Sequence, residues 1–554
     1  MTIDFVVPRE RMEDAGSKAF WPNRLLTDYL DAIVARQPDK TAIVAVDSAS
    51  GETVTKTFAE LERASTRVAL GLLSAGIKRG DVVSFQLPNR WEASALYIAC
   101  SRIGAVFNPL LPVYRSRELG FMLSLAESKV AVIPETYRDF DYAGMYARLR
   151  NELPALEHVF VLGGASPGSF ESQLLDRPWE RDPDASRLLD AARPDPNDVT
   201  QLMYTSGTTG QPKGVLHTHN TLFGMLEEYI KTLRLASDEV IMQAAPITHQ
   251  AGLLHGVLMS TMLGATMVLQ DKWDVEVGIR LIEKYGATHF QAPTPFLADL
   301  TDSPLIGKHD ISSLRRFVTA GAPIPRALVE RAVERLKADI ISAWGMTEFG
   351  TASCTRPEDP PEKIFGTDGK PMRGIEMRVV DENGQPLPAG VDGTLEARGM
   401  SKFVGYFKRP DLNLFGADGW FDTGDVARMD EDGYVRITGR TKDLIIRGGQ
   451  NVPIVEVEEQ LYRHPAVREV AIVGMPDARL GERACAFVVL KPESHLSFDE
   501  MVAYLQEKGT ARVYLPERLE LVEELPRTPT GKVQKFRLRE LASTFAGAAR
   551  GEAA

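Results

Sequence analysis

The segment Tyr204-Thr-Ser-Gly-Thr-Thr-Gly-Gln-Pro-Lys-Gly214 is rich in glycine and hydroxyls and holds one lysine. Glycines let backbone N–H groups approach phosphate oxygens, hydroxyls donate further hydrogen bonds, and the ammonium supplies charge. Thr205, Ser206, Gly207, Thr208, Thr209 and Lys213 therefore read as a phosphate cradle. The loop is not a Walker A sequence, because Lys213 follows Pro212 and precedes Gly214 where that pattern needs G-x-x-x-x-G-K-[ST]. This speaks against a P-loop kinase or ATPase, whose product would be ADP rather than AMP.

Tyr204–Gly214 resembles the signature loop of the superfamily of acyl- and aryl-CoA synthetases, luciferases and peptide-synthetase adenylation domains. Other motifs of that superfamily follow in order as far as Lys532, so the resemblance covers nearly the whole chain. It implies an AMP-forming acid–thiol ligase. A carboxylate would attack the α-phosphorus of ATP, release pyrophosphate, and leave an acyl-adenylate whose acyl group passes to coenzyme A. The first step needs a site that stabilises a crowded, highly negative pentacovalent phosphorus.

The resemblance also implies roles. In Ser342-Ala-Trp-Gly-Met-Thr-Glu348, Glu348 is the expected Mg2+ ligand, a hard carboxylate for a hard cation. Thr347 is expected to donate to the α-phosphate and Trp344 to line the adenine, and Gly345 is expected among the nucleotide-binding residues. Thr319-Ala-Gly-Ala-Pro-Ile-Pro325 resembles the adenine-contacting loop, with Gly321, Ala322 and Pro323 small enough for the backbone to lie close to the base. Asp425, in Gly419-Trp-Phe-Asp-Thr-Gly-Asp425, is expected to chelate both ribose hydroxyls, with Arg440 as its partner. Lys532 ends Pro526-Arg-Thr-Pro-Thr-Gly-Lys532 and is the expected main catalytic residue, bridging the attacking carboxylate and the α-phosphate.

Lys442 occupies the superfamily's hinge position. Rotation there would withdraw Lys532 and present Arg447-Gly-Gly-Gln-Asn451, where Gly448 and Gly449 let a pantetheine arm pass. The thiol attacks as thiolate and ordinarily has a pKa of about 8.5, so local help is expected; His249 is a candidate for gating or assisting that attack. Where the superfamily often has Asn-Ile-Ser-Pro-x-Glu, this chain has Asn451-Val-Pro-Ile-Val-Glu456, with the proline one place early and the glutamate aligned.

The acyl pocket is expected from Pro246–Leu254, Thr319–Ala322 and Gly345–Thr351, segments with no lysine or arginine. A second carboxylate on the substrate would go unpaired there at high desolvation cost. The expected acid is an apolar monocarboxylic acid: medium-chain fatty, alicyclic or aromatic. The Arg447–Pro453 segment is similar to that of cyclohexanecarboxylate-type ligases. The alternative is an adenylating enzyme that loads a carrier protein; a luciferase-like oxygenase and an inactive binding homologue are further readings. Glu348, Asp425, Arg440 and Lys532 together argue against the last.

These residues need a scaffold of several compact units, since 554 residues exceed one ordinary core. Through about residue 370 helices and strands alternate, implying parallel sheets covered by helices. Thr57-Phe-Ala-Glu60 is a capping box opening a helix; Val82–Leu87 reads as a strand and Trp91–Ile103 as a helix. From Glu376 to Ile437, the turns Asp381-Glu-Asn-Gly384 and Asp430-Glu-Asp-Gly433 separate short β-rich runs, predicting a small antiparallel subdomain. Beyond Lys442 a compact α+β stretch is expected, with helices near Val455–Tyr462 and Phe498–Lys508 and strands near Glu469–Val473 and Ala484–Leu490. The expected division is an AMP-binding domain over 1–441 and a small, mobile C-terminal domain over 442–554.

Lysine and arginine total 64 against 76 aspartate and glutamate, a net charge of −12, which argues against a general nucleic-acid grip. Cys100, Cys354 and Cys485 form no CxxC pair and read as reduced structural thiols. The first 20 residues carry acids early and lack a long apolar core, so no secretory signal is expected. Leu253–Leu269, the most apolar stretch, falls short of the ~20 apolar residues a spanning helix needs and reads as a buried helix followed by a strand. The expected location is the cytoplasm.

Overall fold

The computed structural model describes residues 15–163, 168–205, 212–322, 324–412, 416, 418–441, 443–447, 450–477, 479–528 and 531–545. Ser206, Gly207, Thr208, Thr209, Pro323, Lys442, Gly448 and Gly449 lie outside them.

Two sheets and the helices between them form the large N-terminal unit. One sheet has nine strands, in the order Lys370–Pro371, Gly350–Cys354, Asp339–Met346, Arg316–Ala320, His289–Pro293, Val240–Gln243, Thr266–Gln270, Thr41–Val46 and Thr53–Thr57. The strands from Asp339–Met346 to Thr41–Val46 run parallel, while the strands beyond them on both sides pair antiparallel. The second sheet has seven strands: Gly405–Tyr406, Lys213–Thr218, Val199–Thr205, Val106–Pro109, Val82–Phe85, Val130–Pro134 and His158–Leu162. Its last five strands are parallel, and its first three pair antiparallel. The expectation of parallel sheets thus holds for the sheet centres and fails at their edges, where short connections join Thr41–Val46 to Thr53–Thr57, Asp339–Met346 to Gly350–Cys354 and Val199–Thr205 to Lys213–Thr218, and where Gly405–Tyr406 comes from a distant segment.

A single apolar core joins both sheets to the helices Trp91–Ile103 and His219–Thr232. Trp91–Ile103 is buried almost all round, which its near-continuous apolar and small residues permit. The helix Phe58–Ser74 opens on the foreseen capping box: Thr57 Oγ1 accepts from the Glu60 amide and Glu60 Oε2 from the Thr57 amide. The strand expected over Val82–Leu87 ends at Phe85. In the apolar stretch from Leu253, the first six residues form a π-helix (Leu253–Leu258), followed by the α-helix Met259–Leu263 and the strand Thr266–Gln270. Among the described residues no helix is long and apolar enough to cross a membrane.

The expected antiparallel subdomain is a four-stranded sheet of Ile375–Val380, Gly393–Gly399, Phe421–Met429 and Val435–Arg440. The Asp430–Gly433 turn closes the hairpin between its last two strands, with the Gly433 amide on the Asp430 carbonyl. From Ile445 onward the chain packs around cores of its own. The long hairpin Val467–Asp477/Gly481–Leu490 is flanked by the helices Ile454–Tyr462, Phe498–Glu507 and Lys535–Ser543. This C-terminal unit meets the large one through ion pairs: Arg428 with Glu456 (2.6 Å), Arg436 and Arg326 with Glu459, and Arg463 with Glu330.

Gly345 shows how closely the site's hairpin is packed. A Cβ there would lie 2.1 Å from the Gly350 carbonyl oxygen and 3.0 Å from the Thr351 Cα, backbone atoms that cannot swing away. Gly345→Ala must therefore spread the two strands that carry Thr347 and Glu348. Overpacking of this kind costs about 1–3 kcal/mol. The expected outcome is a lower midpoint of thermal unfolding by circular dichroism and a slower nucleotide-dependent reaction; an unchanged midpoint would mean the hairpin opens freely.

Candidate active site

Thr205 and Lys213 face one another across an antiparallel ladder and flank the phosphate-type loop. The residues between these two ends, 206–211, lie outside the described residues. The Lys213 ammonium stands 4.8 Å from the centre of the Tyr406 ring. Tyr406 is on the neighbouring strand Gly405–Tyr406, and its hydroxyl donates to Glu348 Oε1 (2.8 Å).

Thr347 and Glu348 sit in the turn between the strands Asp339–Met346 and Gly350–Cys354, and both are buried. Withdrawal from water pushes the Glu348 carboxyl above its ordinary range, while the Tyr406 hydrogen bond and the charges of Lys213 and Arg440 pull it back. The backbone amide of Glu348 itself also bonds the carboxylate. Among the described residues no group of three or more metal-ligating side chains exists. One buried carboxylate is a poor all-protein cage. It fits Mg2+ that arrives with a nucleotide, which takes one or two carboxylates and completes its shell with phosphate oxygens and water.

Trp344 and Arg440 converge on Asp425. Trp344 Nε1 donates to Asp425 Oδ2 (2.9 Å), and Arg440 Nε donates to Asp425 Oδ1 (2.8 Å) from the adjacent ladder position. Asp425 is 2% exposed, so it is no solvated turn acid. Each carboxylate oxygen has room for a second donor, so this clamped group has one place per oxygen for a pair of vicinal hydroxyls. Gly321 takes φ +83°, where a side chain would be strained, and a Cβ there would lie 3.9 Å from Lys532 Cε. Ala322 follows it, its carbonyl accepting from Thr294 Oγ1.

Lys532 thus reaches from the C-terminal unit into the large one. Its loop is tied by the Thr528 amide on the Lys532 carbonyl (2.7 Å), the Lys532 amide on Thr528 Oγ1 (3.0 Å), and Arg527 on the Gly531 carbonyl (2.6 Å). Burial lowers the Lys532 pKa from 10.5 to about 8, and the Arg440 charge adds to the fall; Asp425 and Glu348 oppose it. Burial, with Lys532 nearby, also lowers His249 to about 4. At neutral pH His249 is therefore an uncharged imidazole. In this arrangement it lines the site next to the ammonium and is too weak a base to deprotonate an ordinary thiol efficiently. Arg447 is ion-paired with Glu517 of its own unit (2.9 Å).

The sequence reading missed Tyr406 and His217. His217 Nε2 donates to the Thr347 carbonyl (2.7 Å) across 130 positions of sequence. Neither residue sits in a recognisable chemical motif, and only the long-range pairing of strands reveals them.

Because Lys532 is charged only below about pH 8 in the nucleotide-free enzyme, its amine should react with an acylating probe with a midpoint near that pH. Bound ATP adds negative charge and should move the midpoint upward. Competitive labelling followed by mass spectrometry measures both. A midpoint at 10.5 in the free enzyme would place the ammonium in open water.

Comparison with known proteins supplies the frame for this geometry. Residues 30–407 match the AMP-binding enzyme family, and residues 456–532 match the AMP-binding enzyme C-terminal domain. The chain is 35% identical over 546 residues to the medium-chain fatty-acid–CoA ligase of Escherichia coli (strain K12), covering 98% of this chain and 94% of that one. It is 33% identical over 540 residues to the 2,3-dihydroxybenzoate-AMP ligase of Bacillus subtilis (strain 168), covering 97% of each. A solved anthranilate CoA ligase in complex with anthranoyl-AMP superposes with a TM-score of 0.85 at 27% identity, covering 95% of this chain and 99% of that chain. With its nucleotide-type clamp, buried acid and delivered lysine, the chain belongs to the AMP-binding enzyme family, as an enzyme of the AMP-forming acyl-CoA synthetase type.

Proposed function

We propose that this enzyme converts an apolar monocarboxylic acid (medium-chain fatty, alicyclic or aromatic) into its acyl-adenylate and then into its coenzyme A thioester. The observation that carries the reading is Lys532. It comes from the C-terminal unit, yet lies beside Gly321 and within the fields of Asp425, Arg440 and Glu348. That arrangement suits the first half-reaction. A carboxylate oxygen bonds to the α-phosphorus of ATP as the bond to the pyrophosphate oxygen breaks. Lys532 meets the charge that accumulates between the two reactants, Lys213 that of the phosphates, and Thr347 supplies a donor. Asp425 holds the ribose. Glu348 is the residue that would hold Mg2+, which supplies charge screening for the phosphates.

In the second half-reaction the thiol sulfur bonds to the acyl carbon, AMP leaves, and the thiol proton passes to solvent or a nearby base. Lys532 has no part in that step. The proposed division near Lys442 lets it withdraw while the Arg447–Asn451 segment, with Gly448 and Gly449, approaches.

The choice of acid rests on the wall beside His249. Met225 Cε and Leu254 Cδ1 stand 2.7 and 3.2 Å from where a Cβ of Gly350 would be, so apolar groups crowd this side. Burial holds His255 neutral, lowering it to about 4. Its Nδ1 donates to the Ala251 carbonyl, and its Nε2 accepts from Thr351 Oγ1. Apart from Lys532, which the reading assigns to the reacting carboxylate, the wall residues named here are uncharged and offer a second carboxylate no partner. The relatives include both a CoA ligase and an AMP ligase; the alternative to coenzyme A as acceptor is a carrier protein.

A panel of carboxylic acids with ATP, Mg2+ and coenzyme A, followed for AMP and thioester, tests the reading. Medium-chain, alicyclic or aromatic acids should give both products, and dicarboxylic acids little of either. AMP without thioester would favour a carrier acceptor; no pyrophosphate with any acid would end the proposal. Lys532→Ala should slow adenylate formation by 3–4 kcal/mol, about 10²–10³-fold, yet largely spare thioester formation from supplied acyl-adenylate. Equal loss of both half-reactions would remove Lys532 from its assigned step.

A further inference from the structure

The strands Lys213–Thr218 and Gly405–Tyr406 form a short ribbon at the edge of the seven-stranded sheet. Val215 faces Tyr406 and Leu216 faces Gly405; the Phe407 amide bonds the Gly214 carbonyl (2.8 Å) and the Val404 amide the Leu216 carbonyl (2.9 Å). Three groups on or beside this ribbon reach across to one turn of the other sheet. The Tyr406 hydroxyl donates to Glu348 Oε1 (2.8 Å), the Phe403 amide to the Glu348 carbonyl (2.7 Å), and His217 Nε2 to the Thr347 carbonyl (2.7 Å).

The partners fix how these groups can act. A carbonyl oxygen only accepts, so His217 Nε2 carries a hydrogen, and its Nδ1 lies 2.9 Å from Thr221 Oγ1. The Tyr406 ring has the Lys213 ammonium over it and the Phe403 ring 4.7 Å away, so the hydroxyl has little freedom to turn. Tyr406 engages one oxygen of Glu348 and so sets the direction in which the carboxylate faces.

We propose that Tyr406 and His217 are positioning residues for nucleotide-linked metal binding: Tyr406 fixes the orientation of the Glu348 carboxylate, and His217 fixes the backbone turn that carries Thr347 and Glu348. The inference rests on Glu348 being the Mg2+ ligand and goes beyond that assignment. It also links two parts of the site, because His217, which holds the Thr347 carbonyl, lies on the strand that begins at Lys213, and Tyr406, which holds Glu348, lies on the strand paired with it. A metal ligand whose supporting partner is lost typically weakens metal binding by about 10- to 100-fold.

The test uses the full-length enzyme and equilibrium binding of ATP, measured by calorimetry with saturating Mg2+ and again in EDTA. Tyr406→Phe removes one oxygen atom and keeps the ring. It should weaken Mg2+-supported ATP binding about tenfold, about 1.4 kcal/mol, and leave binding in EDTA unchanged. His217→Ala should do the same and lower kcat for adenylation, and His217→Gln, which can still donate to the Thr347 carbonyl, should restore much of both. Glu348→Gln is the control and should abolish the Mg2+ dependence. If Glu348→Gln abolishes it but Tyr406→Phe retains it, or if Tyr406→Phe loses affinity equally in EDTA, the positioning role of Tyr406 is wrong. If His217→Ala binds Mg2+ and ATP normally, the role of His217 is wrong. If Glu348→Gln itself keeps the dependence, Glu348 is not the ligand and the proposal falls with that reading.

Discussion

Lys532 enters the cleft as a cation that water would otherwise solvate, and its pKa falls from 10.5 to about 8 as a result. A group whose closed-state pKa is lowered in this way binds its proton more tightly when the cleft is open. Closure of the empty enzyme therefore carries its full electrostatic cost below about pH 8, and the cost fades as pH rises towards 10.5. Arg440 and Lys213 add positive charge to the same region, while Asp425 and Glu348 supply only part of the balance. The missing negative charge is what a triphosphate and a carboxylate bring. The site is thus completed electrostatically by its substrates, and the cations that make closure costly in their absence favour it in their presence.

The contacts between the two units suit a joint that opens. Arg428 and Glu456 are 36% and 50% exposed, and Arg463 and Glu330 are 45% and 44% exposed; surface pairs of this kind contribute little each. A cavity of about 180 Å³ lies beside them, between Arg326, Arg428 and Arg436 on one side and Val455, Glu456 and Glu459 on the other. By contrast, each unit buries most of its apolar residues within itself, with Tyr462 of the C-terminal unit packed against a core of the large one. The proposed turn of the small unit would uncover Tyr462 but otherwise break mainly polar contacts that water can replace.

Local chemistry was legible where it repeats in sequence. The Thr57–Glu60 box and the apolar run of Trp91–Ile103 needed no tertiary information, and the Asp430–Gly433 turn declared its hairpin. The acids and cations of the site were legible because each sits in a short motif. What stayed hidden depends on contact between distant segments. Trp344 looks like a core residue from its type, yet its Nε1 is committed to Asp425, 81 positions away. Tyr406 and His217 owe their places to an antiparallel edge on a sheet expected to be parallel. The π-helix at Leu253–Leu258 escaped for another reason. Apolar residues face every direction there, so a change of helical period leaves no trace in the pattern.

The division of labour follows from which contacts survive movement. Asp425 is held by Trp344 and Arg440, and Glu348 by Tyr406, and all of these residues precede Lys442. None of these bonds involves Lys532. In the proposed turn of the C-terminal unit these bonds are not broken, so an adenylate formed beforehand would stay gripped at its nucleotide end. Only the ammonium assigned to the first step leaves. A two-step reaction needs this asymmetry, because the intermediate must outlast the removal of the group that made it.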